Sequence, residues 1–436
     1  MTSTVSSKNF PPLSLAWTVW GLGAMLYVIA FYQRVAPAVL TRELMADFSL
    51  SAAALGNLSA FYFYSYVAIQ IPTGIMADKF GPRRLLTAGA AITAIGTLVF
   101  ALAPTVAVAN FGRLLIGASA GVAFVGMMKI ASHWLPAKLF ALASGMALAT
   151  GIAGAVFAGV PLREMATAFG WRNVMIFSAG FSALLAAATW WLVRDDPAEK
   201  NFTSYFAHAH EGARQQISVI SGLKRVLSYR NTWLLFAIPG GAAGPIITFA
   251  GLWGVPYLVT HRDLTTNQAA MLASAMMISW AIGGPVLGTL SQKLGRRKPF
   301  YILSCFMLAV GWSTVIFFPL LPFVFLIPLL LVIGFFSGMM IIGFAFAKES
   351  VPLQFGGTVS GVTNMGVMMG PMILQPLVGW MLDKNWHGTL KDGARVYDLA
   401  AYQSGFKLML AWTLLSMLLI LLTKETYCKQ TVQAAD

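Results

Sequence analysis

"GIMADKFGPRRL" occupies Gly74 to Leu85, and "GTLSQKLGRRKP" occupies Gly288 to Pro299. The second stretch repeats the first almost position for position, 214 residues on (288 − 74). Each is a short basic segment between long apolar runs, in a chain of which only 10% is charged. A repeat on this scale predicts two similar halves with one basic loop at the same place in each.

The apolar runs supply the rest of the fold. Of 436 residues 58% are hydrophobic, and the mean hydropathy is +0.73. A soluble domain is about 45–50% apolar and about 25% charged. So much apolar surface needs lipid as its solvent. A helix crosses a bilayer in about 20 apolar residues. Twelve such runs are expected, near 14–40, 54–76, 85–103, 107–130, 139–162, 172–193, 232–258, 267–290, 299–318, 322–346, 356–381 and 402–423. A polar stretch, with "RDDPAEK" and "HAHEGARQQ", separates the first six from the last six. The expected organisation is an all-α membrane protein with twelve transmembrane helices in two pseudo-symmetric six-helix halves. Residues 1–193 form the first half, 194–230 a cytoplasmic linker with a short helix on the membrane surface, and 231–436 the second half. The polar Met1–Pro12 segment leads straight into a full-length span, so the first helix is expected to be retained as an anchor. Cys305 and Cys428 form no disulfide framework, and the five histidines form no metal-ligand cluster.

A net charge of +14 could suggest nucleic acid, but the distribution of the basic residues points elsewhere. Cytoplasmic loops of membrane proteins carry excess Lys and Arg. With both termini cytoplasmic, 19 of the 29 basic residues fall on the inside and 8 on the outside, while Arg34 and Arg113 lie within spans. The bias sets the orientation without any nucleic-acid partner.

Gly74, Asp78, Lys79, Gly81, Arg83 and Arg84 match the pattern Gly-x-x-x-Asp-Arg/Lys-x-Gly-x-Arg/Lys-Arg/Lys. "GRLLIG" (Gly112–Gly117) and "FGWRNVMIF" (Phe169–Phe177) fit the usual fourth and sixth spans. Together they resemble the major facilitator superfamily across all twelve spans. The run from Phe31 to Gly74 resembles the anion:cation symporter and organophosphate antiporter branches, and also the phagosomal nutrient transporters. Gln33-Arg34 stands where the symporters carry Asp-Arg, and "ASAGVAF" (Ala118–Phe124) has no acid where they often have one. Gly151 is followed by Ile152 and not by the Pro of drug antiporters. The resemblance implies alternating access: gating at Gly74, Asp78, Arg83 and Arg84, and at Gln292 and Arg296 in the second copy. Asp78 would latch the halves when the outside is open; Gln292 would keep a hydrogen bond without charge. The plainer alternative is two tight glycine turns with solvated charges.

Arg34 is the main binding candidate. A cation inside a span costs about 2.5–3.5 kcal/mol and faces the bundle interior or a cavity by default. Tyr27, Phe31 and Arg34 share one helical face, an aromatic wall with one guanidinium. Such a wall suits a carboxylate, sulfonate or phosphonate, bound by two parallel hydrogen bonds. The alternative for Arg34 is snorkelling to the headgroups. Arg113 is a second anion contact or a structural arginine. Tyr62 and Tyr66 share a face in the second span, as ligand contacts or as packing. The Gly- and Pro-rich run from Pro239 to Tyr257 predicts a broken or flexible helix near the site, with Thr248, Trp253 and Tyr257 as candidates. Asn364 and Gln375 offer polar groups in the eleventh span, for substrate or for interhelical hydrogen bonds.

The function expected is secondary active transport of a small organic anion across a bacterial inner membrane, by a monomer in the lipid bilayer. An importer of an amino acid or other zwitterion, or a transporter-like ligand sensor, are the alternatives. No nucleophile–base pair, metal cluster or phosphate loop suggests an enzyme, and no cofactor is expected. If protons are the coupling ion, they must use the substrate's own acid group or acids nearer the span ends, such as Glu43, Asp47 or Glu349.

Overall fold

The computed structural model describes residues 9–205 and 219–432. "HAHEGARQQ", within the expected linker, lies outside the described residues. The helices run in chain order as α1 (Leu13–Val35), α2 (Thr41–Asp47), α3 (Ala52–Ala101), α4 (Val106–Trp134), α5 (Ala137–Phe157), α6 (Val160–Phe169) and α7 (Trp171–Leu192). They continue as α8 (Val219–Leu227), α9 (Arg230–Thr248), α10 (Gly254–His261), α11 (Thr266–Lys293), α12 (Lys298–Phe317), α13 (Phe323–Ser337), α14 (Met340–Glu349), α15 (Gly356–Lys384) and α16 (Leu399–Leu421). Among the described residues, eleven helical segments are long and apolar enough to cross a membrane.

One of these is α3, with 50 residues. At 1.5 Å per residue it would reach about 75 Å, more than twice the ~30 Å hydrocarbon layer. It is not continuous. Gly81 has φ 77° and ψ 161°, a conformation open to glycine and costly for other residues. Pro82 follows at once, where its fixed φ and missing N–H suit a helix start. The chain therefore turns inside the first basic loop.

Polar side chains begin some of the helices. Ser51 accepts from Ala54 N at 3.3 Å, and Asp398 from Ala401 N at 2.7 Å. Thr265 and Gln268 form a reciprocal capping box before α11. Small residues then let helices meet backbone to backbone. A Cβ on Gly366 of α15 would collide with the Phe236 carbonyl of α9, and one on Gly283 of α11 with the Phe335 carbonyl of α13.

The α-helix of the Pro239–Tyr257 run is interrupted by a π-helical turn, Phe249–Trp253, before α10. The chain is also not purely helical. Leu390–Lys391 (β1) pairs antiparallel with Ala394–Arg395 (β2). The turn between them is Asp392-Gly393, with φ of 51° and 78°, the left-handed pair that a tight hairpin needs. Within the expected linker, the described residues form a single 3₁₀ turn, Pro197–Lys200, and the helix α8.

Candidate functional site

Arg34 sits in the last turn of α1, where its side chain turns inward and is only 3% exposed. It does not snorkel. Tyr27, Phe31 and Arg34 line one cavity of about 60 Å³, as their shared face predicts. Tyr66 of α3 and Asn364 of α15 also line it, and the Asn364 amide donates to the Tyr66 hydroxyl at 3.4 Å. The guanidinium lies 4.1 Å from the Phe31 ring centroid, 5.5 Å from Tyr62 and 5.4 Å from Tyr66. Each cation–π contact is worth about 0.5–2 kcal/mol, so three can offset an insertion cost of about 2.5–3.5 kcal/mol. They leave hydrogen-bonding capacity unspent: Arg34 Nε is buried with no partner. None of the ion pairs among the described residues includes Arg34.

The other walls are apolar: Leu148 and Ile152 of α5, Trp280 of α11, and Met340 and Met368. The sequence reading missed these, because an apolar residue facing a cavity looks the same as one facing lipid. Trp280 alone carried a signal, an indole in an apolar span; its Nε1 donates to Ser337 O at 3.2 Å. Solute pockets usually measure about 300–1,000 Å³, so this cavity must widen to admit one. Methionine side chains can repack for that.

The remaining candidates sit outside the cavity lining, for local reasons. Arg113 is 1% exposed and donates to Gln33 O at 2.6 Å and to Ser59 O at 3.4 Å, tying α4 to α1 and α3. Tyr62 lies behind Arg34 and donates to Ala30 O at 3.1 Å. The Trp253 indole donates to Gln375 O, while the Gln375 amide donates to Ile247 O, so this pair fastens the π turn to α15. Tyr257 belongs to an aromatic cluster with Phe249, Tyr402 and Phe406.

The two basic loops are built alike. In the first, Asp195, just beyond α7, accepts from Arg83 N at 2.7 Å. In the second, Glu425, just beyond α16, accepts from Arg297 N and Lys298 N at 3.0 and 2.9 Å. Each acid caps the helix that follows its basic loop. Arg83 also donates to Trp190 O and stacks on the Trp190 ring at 4.2 Å. Gly74 and Arg84 are exposed. The Asp78 carboxylate, 84% exposed, pairs with Lys129 of α4 at 2.9 Å. That partner lies within residues 9–205, so the Asp78 contact seen here does not join the two halves of the sequence. The Gln292 amide oxygen accepts from Arg297 at 2.6 Å. Arg297, 5% exposed and paired with Glu349 at 2.6 Å, carries that network, whereas the expected Arg296 is exposed. The other acids named for coupling are paired too, Glu43 with Arg163 and Asp47 with Arg172.

A bundle of membrane-length helices around a buried, cation-bearing cavity has the form of a solute transporter. The Major Facilitator Superfamily model matches residues 19–365 and 242–433, and the chain belongs to that family. It is a multi-pass membrane transporter of small solutes, not an enzyme. The chain is 22% identical over 391 residues to a probable sulfoacetate transporter, SauU, of Cupriavidus necator, covering 84% of this chain and 87% of that protein. It is 25% identical to a probable hexose phosphate transport protein of Chlamydia trachomatis, covering 83% of this chain and 84% of that one. Among solved structures, a bacterial homolog of the human lysosomal transporter Spinster, inward-facing and unoccupied, superposes with a TM-score of 0.73 at 16% identity, over 94% of this chain and 97% of that one.

Proposed function

We propose that this protein is a secondary active transporter of a small organic anion, of carboxylate, sulfonate or phosphonate type, working by alternating access. The observation that carries this reading is Arg34: a buried guanidinium that lines the cavity, with an unpartnered Nε and, among the described residues, no carboxylate against it. A buried cation that lacks an anion is a site for one. The relatives support the same class, since sulfoacetate and hexose phosphate both carry anionic groups. The zwitterion alternative is weaker, because among the described residues no acidic side chain lines the cavity to take an ammonium group.

Counting the limbs of α3 on either side of Gly81 separately brings eleven membrane-length segments to twelve. We read these as two six-helix halves, residues 1–193 and 231–436, joined by the 194–230 linker. The like-built basic loops, each capped by an acid beyond the last helix of its half, support that division. The basic loops would face the cytoplasm of a bacterium, with both termini on that side, and the protein would work as a monomer in the inner membrane. Tyr27, Phe31, Arg34, Tyr66 and Asn364 would bind the solute. Arg113, Tyr62, Trp253, Tyr257 and Gln375 would hold the helices that shape the site. Coupling to protons would run through the substrate's own acid group or through Glu43, Asp47 or Glu349.

A thermal-shift screen of the purified protein tests the substrate class, with short carboxylates, sulfonates, phosphonates and amino acids at equal ionic strength. Anions of one of the first three groups should raise Tm in the parent and not in Arg34→Ala. Stabilisation by amino acids alone, retained in Arg34→Ala, would transfer the site to a zwitterion.

A further inference from the structure

The basic loops mark one end of the bundle, and Asp383 marks the other. α3 begins at Ala52 and reaches Gly81 about 40 Å away at helical rise. The first N–H groups of a helix have no partner within it and carry its positive end. The Ser51 hydroxyl accepts from Ala54 N and also bonds to Asp383. The first two donors are served from far along the chain: Asp383 Oδ1 accepts from Ala52 N at 3.0 Å, and Oδ2 from Ala53 N at 2.8 Å. The Tyr397 hydroxyl donates to Asp383 at 2.7 Å, and Arg395 donates at 3.2 Å. The carboxylate is 17% exposed.

Beneath this cap α3 and α15 touch without side chains between them. A Cβ on Gly379 would collide with the Ala52 carbonyl, and one on Gly56 with the Gln375 carbonyl. Arg42–Asp392 and Asn267–Glu164 join the same two halves of the sequence. At the basic-loop end, by contrast, the ion pairs Asp78–Lys129 and Arg297–Glu349 stay within their own halves.

We infer that Asp383 is the latch that shuts the transport pathway on the side opposite the basic loops. Its carboxylate completes the α3 cap only while α3 and α15 are together. When they part, water must serve those amides instead, and the helix loses a fixed charge at its positive end. Exchange of solute with that side therefore requires Asp383 to leave the α3 N-terminus. This rests on the alternating-access reading and on the orientation proposed above.

The test needs no substrate, so it can fail while transport stands. The full chain, with Cys305 and Cys428 changed to Ser, carries a reporter, Met368→Cys, in the cavity. A membrane-impermeant maleimide is added to right-side-out and to inside-out vesicles. Asp383→Asn and Asp383→Ala should raise labelling from outside at least fivefold and lower it from inside, and Asp383→Glu should stay nearer the parent. Equal labelling from each side in all four proteins would overturn the latch and leave Asp383 a structural cap. Should the variants fail to fold, spin labels at Ala54→Cys and Lys384→Cys decide, in the chain with Cys305 and Cys428 changed to Ser and Asp383 kept. Two distance populations support the latch, and a single unvarying distance overturns it. Counterflow transport by the parent, measured separately, tests the underlying reading.

Discussion

Arg34 and Arg113 are both buried arginines in membrane helices, and their surroundings separate them. Both stack on Tyr62 and leave Nε unpartnered, but Arg34 faces the cavity, whereas Arg113 donates to two backbone carbonyls. Arg113→Ala removes the 2.6 Å charge-assisted bond to Gln33 O, leaving that acceptor buried. An unsatisfied buried group costs about 1–3 kcal/mol, so this variant should melt several degrees lower, while its folded fraction keeps the parent's anion affinity. Calorimetry and binding on one preparation check both. Arg34→Lys should behave in the opposite way: it should keep the melting temperature and recover only part of the affinity, because an ammonium cannot reproduce a two-pronged contact. Equal affinity in Arg34→Lys and parent would show that charge alone matters. The Tyr27–Phe31–Arg34 face was legible because helical spacing is local. The role of Arg113 was not, since its main acceptor lies 80 positions away in the sequence.

Among the elements, the basic loops gain most from the structure. Asp78 is largely exposed, and an exposed ion pair is worth about 0–1 kcal/mol. Asp78→Asn should therefore leave stability and affinity within twofold of the parent. If the loop gates, the maximal transport rate falls clearly; an unchanged rate would leave the loop a glycine turn with solvated charges. The segment beyond α7 offers a pH test. Burial alone would raise the Asp196 carboxyl, but the Ala198 amide, the Ser204 hydroxyl and His133 outweigh it and hold it below the usual carboxylate value. A depressed folded-state pKa stabilises above the unfolded value, and that stability is lost as pH falls through the folded one. The parent should thus lose more stability than Asp196→Asn below about pH 4, near the ordinary carboxylate range. Parallel melting curves down to pH 3 would contradict this. The repeated loops stand out in the sequence by composition. Their caps, Asp195 and Glu425, do not, because each meets its loop only after the intervening helices have folded. The Asp392-Gly393 hairpin was overlooked although the dipeptide announces it, because strand signals carry little weight among twelve apolar runs.

At the scale of the whole molecule, composition sufficed for the membrane class, and the internal repeat pointed to the family. Neither could find the cavity walls, since α5, α11 and α15 reach Arg34 only through tertiary packing. The proposed function turns on Arg34, the guanidinium that faces the cavity without an ion-pair partner among the described residues. The direct measurement is counterflow in proteoliposomes loaded with an unlabelled short sulfonate or carboxylate, with the labelled compound outside, for parent and Arg34→Ala side by side. The parent should accumulate label, uncharged analogues should fail to compete, and Arg34→Ala should fall to the protein-free background while remaining folded and monodisperse. Uptake by Arg34→Ala at the parental rate would contradict the central claim, and the anionic substrate would fall with it.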